Sequence, residues 1–302
     1  MLGRMKILLT GGTGFLGRYI ADRLAGDGHE VVALVRPSSI GKLPASVTDH
    51  RIGGFDEPKA CGDAVVGTDA VVHAGWWTPG DSFVDPPEDP IQYYRTNVLG
   101  SLALLGAAQA SATRFVFIST GAVHGKTQKT SHELDEAHPL WPTTHYGAAK
   151  AAVETAIHAA GYGSASMPAC TIRPTSIYGV DDPVSTSRFY DLVHEVATAD
   201  RIRVSGGGKI VHAGDVAAAV GCVLTAPAGQ IAGETFNCTG GFVPRRQIAE
   251  LTAKTLGRSV EIVGEPPGVG NRMSTAKIES LGMRFDQSNR LLETVQALVS
   301  GL

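Results

Sequence analysis

The chain has 302 residues, 43% hydrophobic and 18% charged, with 26 basic side chains against 29 acidic ones and a formal charge of −3. That length suits one large α/β domain, or a domain with a smaller lobe, and the apolar content excludes a disordered chain. The balanced charge excludes a nucleic-acid groove or an anionic-membrane surface, and no apolar run approaches the ~20 residues of a membrane span.

Lys6–Thr10 reads as a strand, 15–27 as a helix and Glu30–Val35 as a strand rich in β-branched residues. A strand at 70–74, a helix at 91–110, a strand at 114–119, a helix at 146–160 and a strand at 169–173 follow. Continuous apolar strands separated by helices predict a doubly wound parallel sheet with both faces covered. After Pro174 the regularity loosens, and the turn-rich stretches Gly206-Gly207-Gly208 and Glu265-Pro266-Pro267-Gly268 appear. The predicted organisation is a dinucleotide-binding domain at 1–176 with 209–240, interleaved with a smaller substrate lobe at 177–208 with 241–302. Arg4, Lys6 and Ile7-Leu8-Leu9 imitate a signal peptide, but glycines interrupt it, no cleavage-like site follows, and Met5 serves as an alternative start. Cys61, Cys170, Cys222 and Cys238 form no Cys-x-x-Cys pair and no disulfide framework, so a reduced, soluble, cytoplasmic protein is expected. The histidines, among them His73, His124, His132, His138, His145, His158, His194 and His212, show no metal-ligand spacing, and no metal is expected.

The chain is rich in glycine, at 37 residues, which predicts tight turns and close backbone approaches. The first strand runs into Thr10-Gly11-Gly12-Thr13-Gly14-Phe15-Leu16-Gly17. Gly11 permits the turn, Gly14 lets the backbone approach a pyrophosphate, and Gly17 lets the helix pack on the strand, while the helix start offers free N–H groups to the phosphates. An acid at the end of the second strand would favour NAD; here Arg36 stands there, followed by Pro37, Ser38 and Ser39. A guanidinium with serine donors suits a 2′-phosphate, so NADP is preferred, with an arginine stacked on the adenine of NAD as the alternative.

Tyr146-Gly147-Ala148-Ala149-Lys150 opens a helix, so Tyr146 and Lys150 share a face one turn apart. An ammonium beside a phenol favours the phenolate and suits acid/base chemistry. With Asp69-Ala70-Val71-Val72-His73-Ala74-Gly75, Asn97-Val98-Leu99-Gly100, Ser119-Thr120-Gly121-Ala122-Val123-His124-Gly125, Pro142 and Arg173-Pro174-Thr175-Ser176-Ile177-Tyr178-Gly179, these residues resemble the extended short-chain dehydrogenase/reductase family, also called the NAD-dependent epimerase/dehydratase family. The resemblance covers nearly the whole chain and implies a Rossmann-type fold. It implies that Thr120 holds the substrate oxygen, Tyr146 is the acid/base, Lys150 binds the nicotinamide ribose, and Asn97 supports the site or a proton relay. Gly11, Thr13, Gly14, Phe15, Leu16, Gly17, Arg36, Ser38, Phe55, Ala74, Gly75, Pro174 and Thr175 would border the dinucleotide. A homodimer through the 91–110 and 146–160 helices is also implied.

Departures from the family pattern bear on the substrate. Ser176 replaces the asparagine usual in nucleotide-sugar members, and Gly208 stands where their diphosphate-binding arginine is found, with Lys209 offset by one. Gly121-Ala122 replaces the Asp-Glu of the sugar dehydratases, Gly54 replaces an adenine-contacting aspartate, and His124 replaces a tyrosine. Trp76 and Trp77 suit an apolar substrate wall or ordinary loop packing, and Arg188, Arg245, Arg246 and Arg272 are anion contacts or solvated surface groups. The leading expectation is a reductase/dehydrogenase of a small or apolar-ringed carbonyl substrate. The alternatives are a nucleotide-sugar epimerase using Arg188 or Arg272 as anchor, and a dinucleotide-binding sensor without turnover.

Overall fold

Strand β1 (Lys6–Thr10) sends Ile7 and Leu9 into one apolar cluster and Leu8 into another, and all three are fully buried. A strand that is apolar on both faces must be covered on both, and this one lies inside a seven-stranded sheet, between β2 and β4. The computed structural model describes residues 3–80, 82–127, 133–164, 166–265 and 270–302. His132 and the Pro266-Pro267-Gly268 turn lie outside the described residues, as do the first two residues of the chain.

From β1 the chain passes through α1 (Phe15–Gly26), β2 (Glu30–Val35), β3 (Asp49–Ile52), α2 (Pro58–Val65) and β4 (Ala70–His73). It continues through α3 (Pro90–Tyr94), a π-helical stretch (Arg95–Leu99), α4 (Gly100–Ala110), β5 (Arg114–Ile118), α5 (His145–Tyr162) and β6 (Ala169–Pro174). Next come β7 (Ser176–Tyr178), α6 (Tyr190–Thr198), β8 (Arg201–Arg203), β9 (Gly207–His212), α7 (Ala213–Thr225), α8 (Ala228–Ile231) and β10 (Glu234–Cys238). The chain ends with β11 (Gly241–Pro244), α9 (Arg245–Leu256), β12 (Glu261–Val263), α10 (Ala276–Ser280) and α11 (Gln287–Ser300).

The large sheet has the order β3-β2-β1-β4-β5-β6-β10, and every pairing is parallel. This is the Rossmann order, with the chain reversing direction across the sheet between β1 and β4, where a crevice opens at the carboxyl ends of the strands. Between β9 and β11 the chain returns to this sheet, α7 packing against α1 and β10 pairing with β6. A second, three-stranded sheet, β11-β9-β7, and the parallel pair β12-β8 carry the rest. Tyr178, Phe189, Leu192, Ile210, Ile248 and Leu291 form the core of that lobe.

The expected helix at 91–110 is one rod in three parts, and the π-helical turn in its middle holds Asn97 fully buried. Five elements of the large sheet region have no counterpart among those predicted from the sequence: β3, α2, α7, α8 and β10. The edge strand β3 reads Asp49-His50-Arg51-Ile52 and is largely exposed, so it carries no hydrophobic signal. The Gly207-Gly208 stretch, read as a turn, opens β9, where Phe242 and Val243 of β11 pair with Lys209 and Gly208.

Candidate active site

The turn after β1 is shaped by what cannot fit beside it. Gly11 has a φ of +74°, and a Cβ there would stand 2.7 Å from the backbone nitrogen of Gly75. A Cβ on Gly17 would run into the carbonyl oxygen of Gly11, so the helix sits directly against the turn. Gly14 caps α1 without a side-chain hydrogen bond, which leaves the first-turn N–H groups of Phe15, Leu16 and Gly17 for a ligand. These backbone donors fit a pyrophosphate in both chemistry and clearance.

Behind the cradle runs a buried chain of hydrogen bonds whose direction can be worked out. Ser101 Oγ donates to the carbonyl of Asn97 (2.5 Å), so it accepts from His73 Nε2 (2.8 Å). His73 Nδ1 then accepts from Thr10 Oγ1 (2.6 Å), which in turn accepts from the Gly75 N–H (2.9 Å). His73 is fully buried and its pKa is lowered to about 3, by burial first and by Lys150 second, so the ring is neutral as this chain requires. The network ties Thr10, at the lip of the glycine turn, to the π-helical turn around Asn97.

A cavity of about 1390 Å³ opens over the crevice. Gly11, Thr13, Gly14, Phe15, Leu16, Gly17, Arg36, Phe55, Ala74, Gly75, Pro174 and Thr175 all line it, as do Thr120, Tyr146 and Lys150. At the end of β2 the serine in the wall is Ser39, and Ser38 is outside it. The Asp56 carboxylate occupies the space that a Cβ on Gly54 would take, and Glu57 Oε1 accepts from the Gly54 N–H (3.1 Å). An acid therefore stands beside the position where Gly54 lacks one, two residues later in the chain.

Thr144 caps α5 by accepting from the Gly147 N–H (3.1 Å), and this start places Tyr146 and Lys150 on the cavity face. The Tyr146 ring has Trp76 edge-on at 6.0 Å and Phe83 tilted over it at 5.3 Å. Burial pushes its phenol up to about 12, with the Thr120 hydroxyl pulling the other way and Tyr93 adding to the rise. The expected lowering by Lys150 is not what this arrangement produces. The ammonium donates to the Ile118 carbonyl (2.6 Å) and lies over Trp76, 3.9 Å from the ring centre, but 6.0 Å from the ring centre of Tyr146. Burial holds Lys150 well below the usual lysine value, and Glu154, one turn on, favours its charged form.

Asn97 does not reach the cavity. Its Oδ1 accepts from the Trp77 N–H (2.8 Å) and its Nδ2 donates to the Trp77 carbonyl (2.9 Å), so the amide is spent on the loop that carries the tryptophans. Trp76 and Trp77 both line the cavity, and Trp76 Nε1 donates to Tyr93 Oη (2.9 Å). Ser176 and Arg188 also line it, whereas Arg272 is largely exposed and faces Glu133. Its neighbours Asn271 and Met273 are in the wall instead. His124 is buried, and burial followed by Arg173 lowers its pKa to about 4. Its Nε2 faces Arg173 Nη1 at 3.3 Å, a group that can only donate, so the ring is a neutral acceptor and not a proton donor near neutrality.

Several wall residues were absent from the sequence reading: Phe83, Val84, Gln92, Thr96, Leu134, Asn271 and Met273. They lie on loops and on the helical rod, where no motif marks them. Lys209, offset by one from the position of the family's arginine, lines the cavity, while Gly208 does not. Among the described residues no group of three or more His, Cys, Asp or Glu side chains is placed to hold a metal, and no helix is long and apolar enough to cross a membrane.

Relatives match this chain over different lengths. A 4-hydroxy-2-methyl-3-oxo-4-farnesyl-3,4-dihydroquinoline-1-oxide ketoreductase of Stigmatella aurantiaca is 30% identical over 287 residues, covering 92% of this chain and 80% of the relative. A 2-alkyl-3-oxoalkanoate reductase of Stenotrophomonas maltophilia is 32% identical, over 68% of this chain and 59% of the relative. A UDP-glucose 4-epimerase of Streptomyces lividans is 33% identical, over 66% and 62%. The chain thus spans about 60% of the length of the last two. In fold, it is similar to RMD from Pseudomonas aeruginosa complexed with NADPH (TM-score 0.76, 23% identity, 99% of this chain and 97% of the other). UDP-glucose 4-epimerase from Thermotoga maritima is equally similar in fold (TM-score 0.78, 22% identity, 97% and 98%). The model of the NAD dependent epimerase/dehydratase family matches residues 7–239. With the uncapped glycine turn at the switch point and the cavity above it, the chain belongs to the NAD-dependent epimerase/dehydratase family and is an NAD(P)-dependent enzyme, an oxidoreductase or an epimerase.

Proposed function

We propose that the protein is an NADP-dependent reductase of an apolar carbonyl compound. The carrying observation is the wall around Tyr146: Trp76 and Phe83 frame the phenol, and Gly208 offers no guanidinium fork for a sugar diphosphate. The ketoreductase relative, matched over most of both chains, supports the same reading. Gly11–Gly17, Ala74, Gly75, Pro174 and Thr175 would hold the dinucleotide, with Arg36 and Ser39 at its adenosine end. When bound, the reduced nicotinamide supplies a hydride to the carbonyl carbon. Tyr146 gives its proton to the carbonyl oxygen, which the Thr120 hydroxyl holds in place. Lys150 would hold the nicotinamide ribose, and Asn97 keeps the Trp76–Trp77 loop in position. A phenol raised by burial is protonated at neutral pH, which suits an acid in the reductive direction.

In this reading the segments 177–208 and 241–302 form the substrate lobe and the remainder the dinucleotide domain. Exposed Ile91, Leu99 and Tyr162 on the α3–α4 rod and on α5 favour a homodimer through those helices. A second reading, an epimerase, is favoured by one observation: Arg188 and Lys209 both line the cavity and can receive an anion. Cofactor absorbance separates the two. A reductase consumes NADPH in step with the ketone supplied, whereas an epimerase interconverts UDP-glucose and UDP-galactose with bulk NADPH unchanged. Flat absorbance with every ketone and steady interconversion of the sugars would refute the reductase reading.

A further inference from the structure

We propose that Trp76 is a positioning residue for Lys150, its indole face standing in for the carboxylate that a buried ammonium usually requires. The proposal rests on the reading in which Lys150 holds the nicotinamide ribose, and it is the same for a reductase and for an epimerase. Lys150 is 3% exposed, and a lysine is rarely buried this far without an acid paired to it. Among the described residues no carboxylate forms an ion pair with it.

Each element around the ammonium has been accounted for. On α5, Glu154 has both carboxylate oxygens engaged by Arg173. On β4, the His73 ring is neutral. On α5 and α3, Tyr146 and Tyr93 are phenols that burial keeps protonated near neutrality. From β5 come one acceptor, the Ile118 carbonyl at 2.6 Å, and the Phe117 ring, whose centre is 4.5 Å from Nζ. The remaining neighbour is Trp76, with its ring centre 3.9 Å from Nζ, the shortest aromatic contact the ammonium makes. That lies well inside the roughly 6 Å over which the negative face of a ring attracts a cation. Indole is the best of the aromatic faces, and the attraction grows where water is excluded.

The indole is itself fixed. Its Nε1 donates to Tyr93 Oη (2.9 Å), and the Asn97 amide clasps the backbone of the next residue, Trp77, at both ends (2.8 and 2.9 Å). Two buried residues of the α3–α4 rod thus set the place of the ring under Lys150. A π face suits this task better than an acid. A carboxylate would take up the N–H donors of the ammonium, whereas the indole favours its charge and offers no oxygen. One of the three N–H groups goes to Ile118, so a donor is left for a ribose hydroxyl in the cavity that Trp76 and Lys150 both line.

The test uses the full chain with Trp76 alone replaced by mono-, di- and trifluorotryptophan, which weaken the negative face in steps and keep the shape of the ring and its N–H. Lysine labelled with ¹³C at Cε, with Lys150 assigned through Lys150→Arg, reports its titration by NMR. The Lys150 pKa is expected to fall at each step, by about 0.4–1.5 pH units over the series. The same series at Trp141, which is outside the cavity wall, is expected to leave it unmoved. A role in packing alone would not respond, because the shape is constant. A Lys150 titration indifferent to fluorine at position 76, or equally sensitive to fluorine at position 141, overturns the proposal. Calorimetry of NADP⁺ binding across the same pH range tests the ribose reading separately, through the affinity lost as Lys150 gives up its proton. Failure of either claim is therefore visible without the other.

Discussion

Glu154 and Arg173 form a buried ion pair beneath α5, with side-chain exposures of 0% and 2%. Arg173 Nε reaches both carboxylate oxygens (3.1 and 3.0 Å) and Nη2 reaches Oε2 (2.7 Å). The pair joins α5, one turn past Lys150, to the end of β6, where Pro174 and Thr175 enter the cavity wall. Glu154→Leu leaves a guanidinium buried without a counter-charge, and Arg173→Met leaves a carboxylate in the same state. Each single substitution is expected to cost about 3–5 kcal/mol. At roughly 2–4 °C per kcal/mol for a chain somewhat shorter than this one, the melting temperature should fall by about 6–20 °C. The double variant removes both charges and leaves apolar side chains of similar length, so it should recover to within about 1 kcal/mol of the starting protein. Thermal and urea unfolding of the four proteins close the cycle, with an expected coupling of about 3 kcal/mol or more. Single losses below about 1 kcal/mol that simply add in the double variant would refute the reasoning, because the pair would then not be desolvated.

Cofactor choice turns on Arg36. A charge-assisted contact to the 2′-phosphate contributes about 1.5–3 kcal/mol, so NADPH should bind roughly 10- to 150-fold more tightly than NADH, and Arg36→Asp should abolish or invert that ratio. Equal affinities in the starting protein would remove the argument. Acid stability follows from three buried neutral histidines: His73 with a pKa lowered to about 3, and His124 and His212 each to about 4. The unfolded chain protonates them near pH 6.5 while the folded one does not, so stability is full above that pH and falls below it, by up to about 1.4 kcal/mol per pH unit for each ring. Urea midpoints measured between pH 7.5 and pH 4.5 should therefore drop, and less steeply in His212→Asn; a flat profile would contradict the assigned neutral rings.

The parallel sheet, the glycine turn and the Tyr146–Lys150 pair are legible in the sequence because each rests on local spacing. The continuous apolar runs of β1 and β2 mark strands buried on both faces, and an i, i+4 pair needs only a helix to bring it together. What escaped depends on tertiary context. The strand β3 is polar and held by its pairing with β2, so it leaves no periodic signal. Phe83 and Met273 reach the cavity from loops far apart in sequence, and nothing in their neighbours announces it. Asn97 was read as a site residue from its motif, but only the π-helical turn shows its amide clasping Trp77. Gly54 was read as a missing acid, and the chain supplies Asp56 in the adjoining space.

Single-turnover reduction with NADPH carrying deuterium at both positions of the nicotinamide C4 tests the central claim most directly. The account expects deuterium on the carbinol carbon of the product. It also expects the step to slow by about 10²–10⁴-fold in Tyr146→Phe, with NADPH affinity retained. Full-rate transfer in Tyr146→Phe, or an alcohol without the label, would contradict it.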